Sequence, residues 1–164
     1  MIITKNTDEN FTSIREIAKE VWPIAYGTIL SREQLDYMME MMYSVTSLQQ
    51  QANEKGNHFI LATKNEIPVG FAAYEFNYNK KPKTKIHKIY ILPNHQAKGI
   101  GKQLMDFIIN KAKERHQKAL ILNVNKKNIA IRFYERIGFT ISFEEVIDIG
   151  NGYVMDDYVM EKSI

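Results

Sequence analysis

The sequence predicts a single α/β domain of 164 residues built around one mixed sheet. Three observations lead there. The elements run strand, helices, three strands, helix, strand, helix, two strands. The apolar period switches from helical to alternating near His58. The run Ala119 to Val124 (ALILNV) is almost continuously apolar, as a strand is when helices cover both faces of its sheet.

Each element has its own signal. Ile2 to Lys5 reads as a short first strand, and Thr7 as the cap of the first helix. Phe11, Ile14, Ile17, Ala18 and Val21 recur at helical spacing, and Pro23 is expected to end that helix near Trp22. Ser31-Arg32-Glu33-Gln34 fits a capping box. Leu35, Met38, Met39 and Met42 then form one apolar face. A short helix is expected around Leu48 to Ala52, ended by Gly56. His58 to Thr63 and Pro68 to Asn77 form a hairpin about the turn Lys64-Asn65-Glu66. Lys80 to Thr84 reads as a basic loop, and Ile86 to Ile91 as the third strand of this set. Leu104 to Lys113 is a helix with Leu104, Phe107, Ile108 and Ala112 facing the core. Asn128 to Ile137 is another, closed by Gly138. Phe139 to Ile147 and Val154 to Met160 are the last two strands, joined through Asp148 to Gly152.

Composition narrows the function. The chain is 45% hydrophobic and 25% charged, with no apolar run near eighteen residues, so it reads as globular with no membrane partner. MIITKNTDEN lacks the basic-then-apolar pattern of a signal peptide, and a cytoplasmic address is expected. The absence of Cys excludes disulfides, thiolate nucleophiles and zinc–thiolate sites. A net charge of +3 is small, and the lysines of Asn79–Lys88 and Lys111–Lys118 match no nucleic-acid-binding pattern. No nucleic-acid partner is expected. No H-x-x-x-H or carboxylate cluster calls for a metal.

The most informative stretch is HQAKGIGKQL, residues 95–104. It joins an expected strand to an expected helix. A glycine turn there leaves backbone N–H groups exposed, and an anionic oxygen can approach them closely. The helix dipole adds attraction, and Gln96, Lys98 and Lys102 add donors. The turn is suited to phosphate. It is neither a P-loop nor a dinucleotide fingerprint, because GxxxxGK[ST] is absent and Leu104 stands where a third glycine would be. Gly99 as a plain loop residue and Gly101 as a packing point remain the alternatives.

Gln96-Ala97-Lys98-Gly99-Ile100-Gly101 resembles the acyl-CoA-binding motif Q/R-x-x-G-x-G/A of the GCN5-related N-acetyltransferase (GNAT) superfamily. The strand Lys88 to Pro93 resembles that family's central strand. Leu122 to Asn125 and Asn128 to Phe139 resemble its second cofactor segment. The resemblance covers essentially the whole chain. It implies a mostly antiparallel sheet of about seven strands with four or more flanking helices, splayed between the central strand and the next.

The resemblance also implies roles. The backbone of Gln96, Ala97, Lys98, Gly99, Ile100 and Gly101, with Lys102, would hold the pyrophosphate of acetyl-CoA. Ile89 and Ile91 would pair with the pantetheine arm as a strand edge does. The Ile91 N–H resembles the donor that polarises the thioester carbonyl. Tyr134 resembles the general acid facing the sulfur, and Asn128 the residue bonding the cofactor arm. Read without the motif, Tyr134 is a core aromatic and Asn128 a helix N-cap. Asn123 is either structural or near the cofactor. For the general base the candidates are Glu75, His87, or a water chain to Glu75 or Tyr90. His58, His95 and His116 read as surface or turn residues.

The reaction implied is direct transfer of acetyl from acetyl-CoA to a primary amine. The acceptor pocket would draw on Trp22, Tyr26, Tyr37, Met38, Met41, Met42, Tyr43 and Tyr153. Its acids would be Glu33, Asp36, Glu40, Asp148, Asp156 and Asp157. Carboxylates with aromatics favour a cationic amine or polyamine, against the plainer reading of core methionines and surface acids. Trp22-Pro23, Tyr26 and Asp156 to Lys162 resemble the bacterial spermidine/spermine acetyltransferase branch. A peptide or protein N-terminal amine is the alternative acceptor, and an acyl-CoA sensor without catalysis the alternative function. The last strands offer edges for a homodimer.

Overall fold

The computed structural model describes residues 1–5 and 10–164. The expected Thr7 cap lies outside them. The chain runs β1 (Ile2–Lys5), α1 (Phe11–Tyr26), α2 (Arg32–Tyr43), α3 (Val45–Asn53), β2 (His58–Lys64), β3 (Ile67–Glu75), β4 (Lys83–Ile91), α4 (Ile100–Glu114), β5 (Ala119–Asn125), α5 (Ile131–Arg136), β6 (Thr140–Gly150) and β7 (Tyr153–Ser163). The described strands form one seven-stranded sheet in the order β1-β2-β3-β4-β5-β7-β6. Neighbours are antiparallel except the parallel pair β4–β5.

The sheet separates two apolar layers. On one face α4 and α5 bring Ile100, Leu104, Ile108 and Tyr134 onto Ala72, Ile86, Leu120 and Leu122. On the other, α1 to α3 bring Phe11, Ile14, Trp22, Met38, Tyr43 and Leu48 onto Phe59, Leu61, Phe71 and Ala73. β5 is buried on both faces, which explains its unbroken apolar run. β6 forms the outer edge and leaves Ile141, Phe143 and Val146 exposed.

Several boundaries differ from the sequence reading, each for a local reason. α1 continues through Pro23 to Tyr26. A proline removes one helical hydrogen bond, but Pro23 O still accepts from Gly27 N at 2.9 Å, and Trp22 is locked in the core. Only half of the expected capping box forms: Ser31 Oγ accepts from Gln34 N at 3.1 Å, while the Gln34 amide turns to Val154 O at 3.3 Å. α3 starts at Val45 because Ser44 caps it, its Oγ accepting from Ser47 N. β3 ends at Glu75, and β4 begins at Lys83, inside the expected basic loop. There Thr84 and Lys85 are buried beside β5. α4 begins at Ile100. α5 begins only at Ile131, after a turn in which Asn128 Oδ1 accepts from Ala130 N at 2.8 Å. Asn128 therefore caps that turn and not α5. His58 lies half-buried in β2, stacked against Tyr74 at 5.4 Å, and is not a surface residue.

Candidate active site

The site is built where β4 and β5 part. The two strands pair from Lys83↔Ala119 to Ile86↔Leu122 and no further. Just there β4 carries a bulge: Tyr74 of β3 faces Ile86, Ala73 faces Lys88, and His87 is the extra residue. A bulge bends its strand and increases the local twist. β4 thus leaves β5 at the point where its own register changes.

Past the bulge, Ile89 and Ile91 turn to the α4–α5 layer, and Tyr90 to the α1–α3 layer. Backbone direction follows from one bond, Leu92 N–H to Val69 O at 2.9 Å. A residue's N–H and C=O leave one side of a strand, and successive residues alternate sides. Leu92 and Tyr90 therefore address β3, while Ile89 and Ile91 address the gap. Their edge has no strand partner there, and the Ile91 carbonyl accepts instead from Gln96 Nε2 at 3.0 Å.

The gap leads up to the glycine turn. Gly99, at φ +77°, has open space where a Cβ would project. Ala97 is also left-handed at φ 58°. The N–H groups of Ala97 to Lys102 meet no backbone carbonyl among the described residues. The first that does is Gln103, donating to Gly99 O at 3.0 Å. The lysines hold local partners: Lys98 Nζ donates to Asn94 O at 2.6 Å, and Lys102 pairs with Asp106 at 2.6 Å. At Gly101 a Cβ would stand 3.1 Å from Ile91 Cδ1 and 3.3 Å from Phe133 Cζ. That glycine joins turn, central strand and α5 by close packing, so the packing role considered for it is present in the fold.

Tyr134, only 8% exposed, lies under this gap between Phe133 and Phe139. Burial, with Tyr26 nearby, holds its hydroxyl above the usual phenol range. On the opposite side Tyr26 of α1 reaches over. Its hydroxyl lies 3.1 Å from Tyr90 Oη and accepts from Asn128 Nδ2 at 3.3 Å. Burial raises the phenols of Tyr26 and Tyr90 too.

Glu75 and His87, considered separately in the sequence, meet: Glu75 Oε2 lies 2.9 Å from His87 Nε2. Burial raises the Glu75 carboxyl, against the pull of Lys85. Burial, then Lys88, Lys85 and Lys55, push His87 down to about 3, and the adjacent carboxylate opposes that shift. Glu75 stands four residues along β3 from Phe71, the partner of Tyr90. At strand rise that is ~13 Å, so the pair lies toward the closed end of the gap, away from Tyr26 and Tyr90.

A further cluster, not singled out in the sequence, lies at the same end. Lys85 Nζ donates to Asn123 Oδ1 across the β4–β5 boundary. Asn123 Nδ2 reaches Glu145 Oε2 at 2.8 Å and Asp157 Oδ2 at 3.4 Å. Asp157 is 1% exposed and its Oδ1 has no partner. Burial raises its carboxyl, partly offset by Asn123 and Lys85. Burial pushes the Lys85 amine down to about 8, although Glu145, Asp157 and Glu75 pull it up. Asn123 stands at the centre of this cluster. Its composition follows from strand pairing, which no local pattern announces.

The acceptor-pocket residues are only partly gathered. Tyr37 meets Tyr153 at 5.5 Å and donates to Ile149 O at 2.9 Å, tying α2 to the β6–β7 turn. Trp22, Met38 and Tyr43 are core residues. Glu33, Asp36 and Glu40 are exposed, Glu40 pairing with Arg15, and Asp148 caps Gly150 N. Asp156 pairs with Lys126 at 2.8 Å. Among the described residues no three His, Cys, Asp or Glu side chains gather as a metal site would need, and no helix is long and apolar enough to cross a membrane.

Residues 11–139 match the model of the acetyltransferase (GNAT) family. An uncharacterized N-acetyltransferase of Methanocaldococcus jannaschii is 36% identical over 86 residues, 49% of this chain and 38% of that protein. The spermidine N(1)-acetyltransferase of Thermoplasma acidophilum is 24% identical over 162 residues, 94% of each chain. The matched stretch spans 38% to 59% of the length of most of the curated relatives found. Among solved structures, the PaiA N-acetyltransferase of Thermoplasma acidophilum in complex with coenzyme A superposes at a TM-score of 0.81, with 23% identity and full coverage of both chains.

Proposed function

The chain belongs to the acetyltransferase (GNAT) family, and on that premise we propose that it transfers an acetyl group from acetyl-CoA directly to a primary amine. The observation that carries this reading is the open edge of Ile89 and Ile91, running from the glycine turn down to the β4–β5 boundary. It fits an extended amide-bearing arm with a phosphate at its upper end.

When bound, acetyl-CoA supplies the activated acyl group. The free N–H groups of Ala97 to Lys102 bind its pyrophosphate, with Gln96, Lys98 and Lys102 at the rim. The backbone of Ile89 and Ile91 orients the arm, and the Ile91 N–H polarises the carbonyl. Asn128 holds the arm from the β5 side. Tyr134 keeps its proton at neutral pH because burial raises its phenol, as a donor to a leaving thiolate needs. Glu75, with His87 bonded to it, receives the acceptor's proton through water. Asn123 keeps Asp157 and Lys85 in place beside the closed end of the gap.

Asp157 and Glu145 favour a cationic amine as acceptor, and a polyamine is the class we assign first. The alignment along the spermidine acetyltransferase supports that choice. Thiol release from acetyl-CoA, followed with spermidine, spermine, amino acids, aminoglycosides and short peptides, tests it. Turnover with a polyamine is the expected result. Turnover with peptides alone would move the acceptor to an N-terminal amine. Binding of acetyl-CoA without turnover on any acceptor would contradict catalysis on these classes and favour a sensor.

A further inference from the structure

A primary amine already stands at the end of the gap. Lys85 is buried at 7% exposure on the second rung from the β4–β5 divergence, Lys85↔Ile121. Its side chain leans toward the opening, because its partner Asn123 lies two residues further along β5. Tyr78 stacks on the same ammonium, 5.1 Å from ring centroid to Nζ. Glu75, Glu145 and Asp157 surround it electrostatically. A side chain this confined cannot swing freely to solvent, so its amine is held where the strands separate.

We propose that Lys85 is a self-acetylation site: with acetyl-CoA bound and no acceptor present, the Lys85 amine takes the acetyl group. This inference rests on the acetyl-CoA reading above. The step balances simply. One ammonium proton leaves to Glu75 or Asp157. Nζ bonds to the carbonyl carbon, the carbon–sulfur bond breaks, and the thiolate takes a proton as the amine nitrogen loses its second. The products are an amide on Lys85, free CoA thiol and one proton released to solvent.

Two features favour this lysine over the others. An amine titrating at about 8 presents ~300-fold more of its neutral form at pH 7 than one at 10.5. The surface lysines Lys98, Lys102 and Lys118 have no comparable burial. Acetylation would also remove the cation that faces Glu75, Glu145 and Asp157. Those carboxylates would then be left to a cationic acceptor, so the modified protein should bind such an acceptor more tightly.

The test is peptide mass mapping of the full chain after incubation with acetyl-CoA alone at pH 7.5, with acetyl-CoA binding measured calorimetrically on the same sample. The expected result is one added acetyl on Lys85, at least ~10-fold faster than on Lys98, Lys102 or Lys118. That preference should be lost in protein unfolded in urea and suppressed by excess CoA. Lys85→Arg should release no thiol in the absence of acceptor. Binding with Lys85 unmodified, or modified no faster than the surface lysines, would overturn this inference and leave the acetyltransferase reading standing. Failure to bind acetyl-CoA at all would overturn both.

Discussion

The hydroxyl of Tyr26 lies 3.1 Å from that of Tyr90, joining the first helix to the central strand over the gap beside β4. Asn128, from the turn after β5, donates to the same Tyr26 oxygen. One phenol thus connects both sides of the gap to α1. Tyr26→Phe removes the connection while keeping the ring against Trp22. It should cost about 1 kcal/mol of stability, since two buried partners lose a hydrogen bond. Acetyl-CoA affinity should fall severalfold because Asn128 is no longer positioned. Urea titration and calorimetry read the two effects separately.

Tyr134→Phe separates chemistry from binding. Among the described residues no hydrogen bond to the Tyr134 hydroxyl is seen, so its loss should change stability by well under ~1 kcal/mol. Loss of a general acid should lower kcat ~100-fold, with KM for acetyl-CoA nearly unchanged. Steady-state thiol release gives both constants. Equal kcat in variant and parent would remove Tyr134 from the acid role.

The two motif glycines should fail differently. Gly99→Ala meets open space but must hold φ +77°, costing ~1–2 kcal/mol of stability. Gly101→Ala must displace Ile91 or Phe133, which stand 3.1 and 3.3 Å from the new Cβ. Gly101→Asp adds a carboxylate at the anion site and should weaken acetyl-CoA ~100-fold or more, well beyond Gly101→Ala. Calorimetric titration of the three variants makes the comparison.

Asp157→Asn keeps the shape of the buried side chain and removes its charge. For a cationic acceptor KM should rise about tenfold, one charge contact in a partly desolvated site. KM for acetyl-CoA should stay constant. A neutral response with every cationic acceptor would dissociate Asp157 from acceptor recognition.

His87 sets a pH dependence of stability. Its folded-state titration lies at about 3, below the ordinary histidine value of 6.5. Between those values the unfolded chain binds a proton that the native chain does not, so stability rises with pH across that window. His87→Gln should flatten that rise. Urea midpoints at pH 4 and pH 7 should differ less in the variant than in the parent.

Much of this was legible because its causes are local. The glycine turn, the helix after it and the period-two strands each need only a few neighbouring residues. Gly101 hid the true start of α4, since glycine is a poor helix former and its use here is contact with Ile91 and Phe133. Lys83, Thr84 and Lys85 read as a loop because their burial comes from β5, more than thirty residues away. Pro23 marked an end that the core anchoring of Trp22 overrode. The Glu75–His87 contact depends on a bulge, and the Lys85–Asn123–Asp157 cluster on two strand pairings. Neither leaves a pattern along the chain.

The central claim is that the gap between β4 and β5 receives acetyl-CoA. A crystal structure of the acetyl-CoA complex tests it most directly. The account predicts the pyrophosphate on the N–H groups of Ala97 to Lys102, the arm paired with Ile89 and Ile91, and the sulfur within hydrogen-bond reach of the Tyr134 hydroxyl. Acetyl-CoA bound elsewhere, or with its sulfur remote from Tyr134, would contradict it.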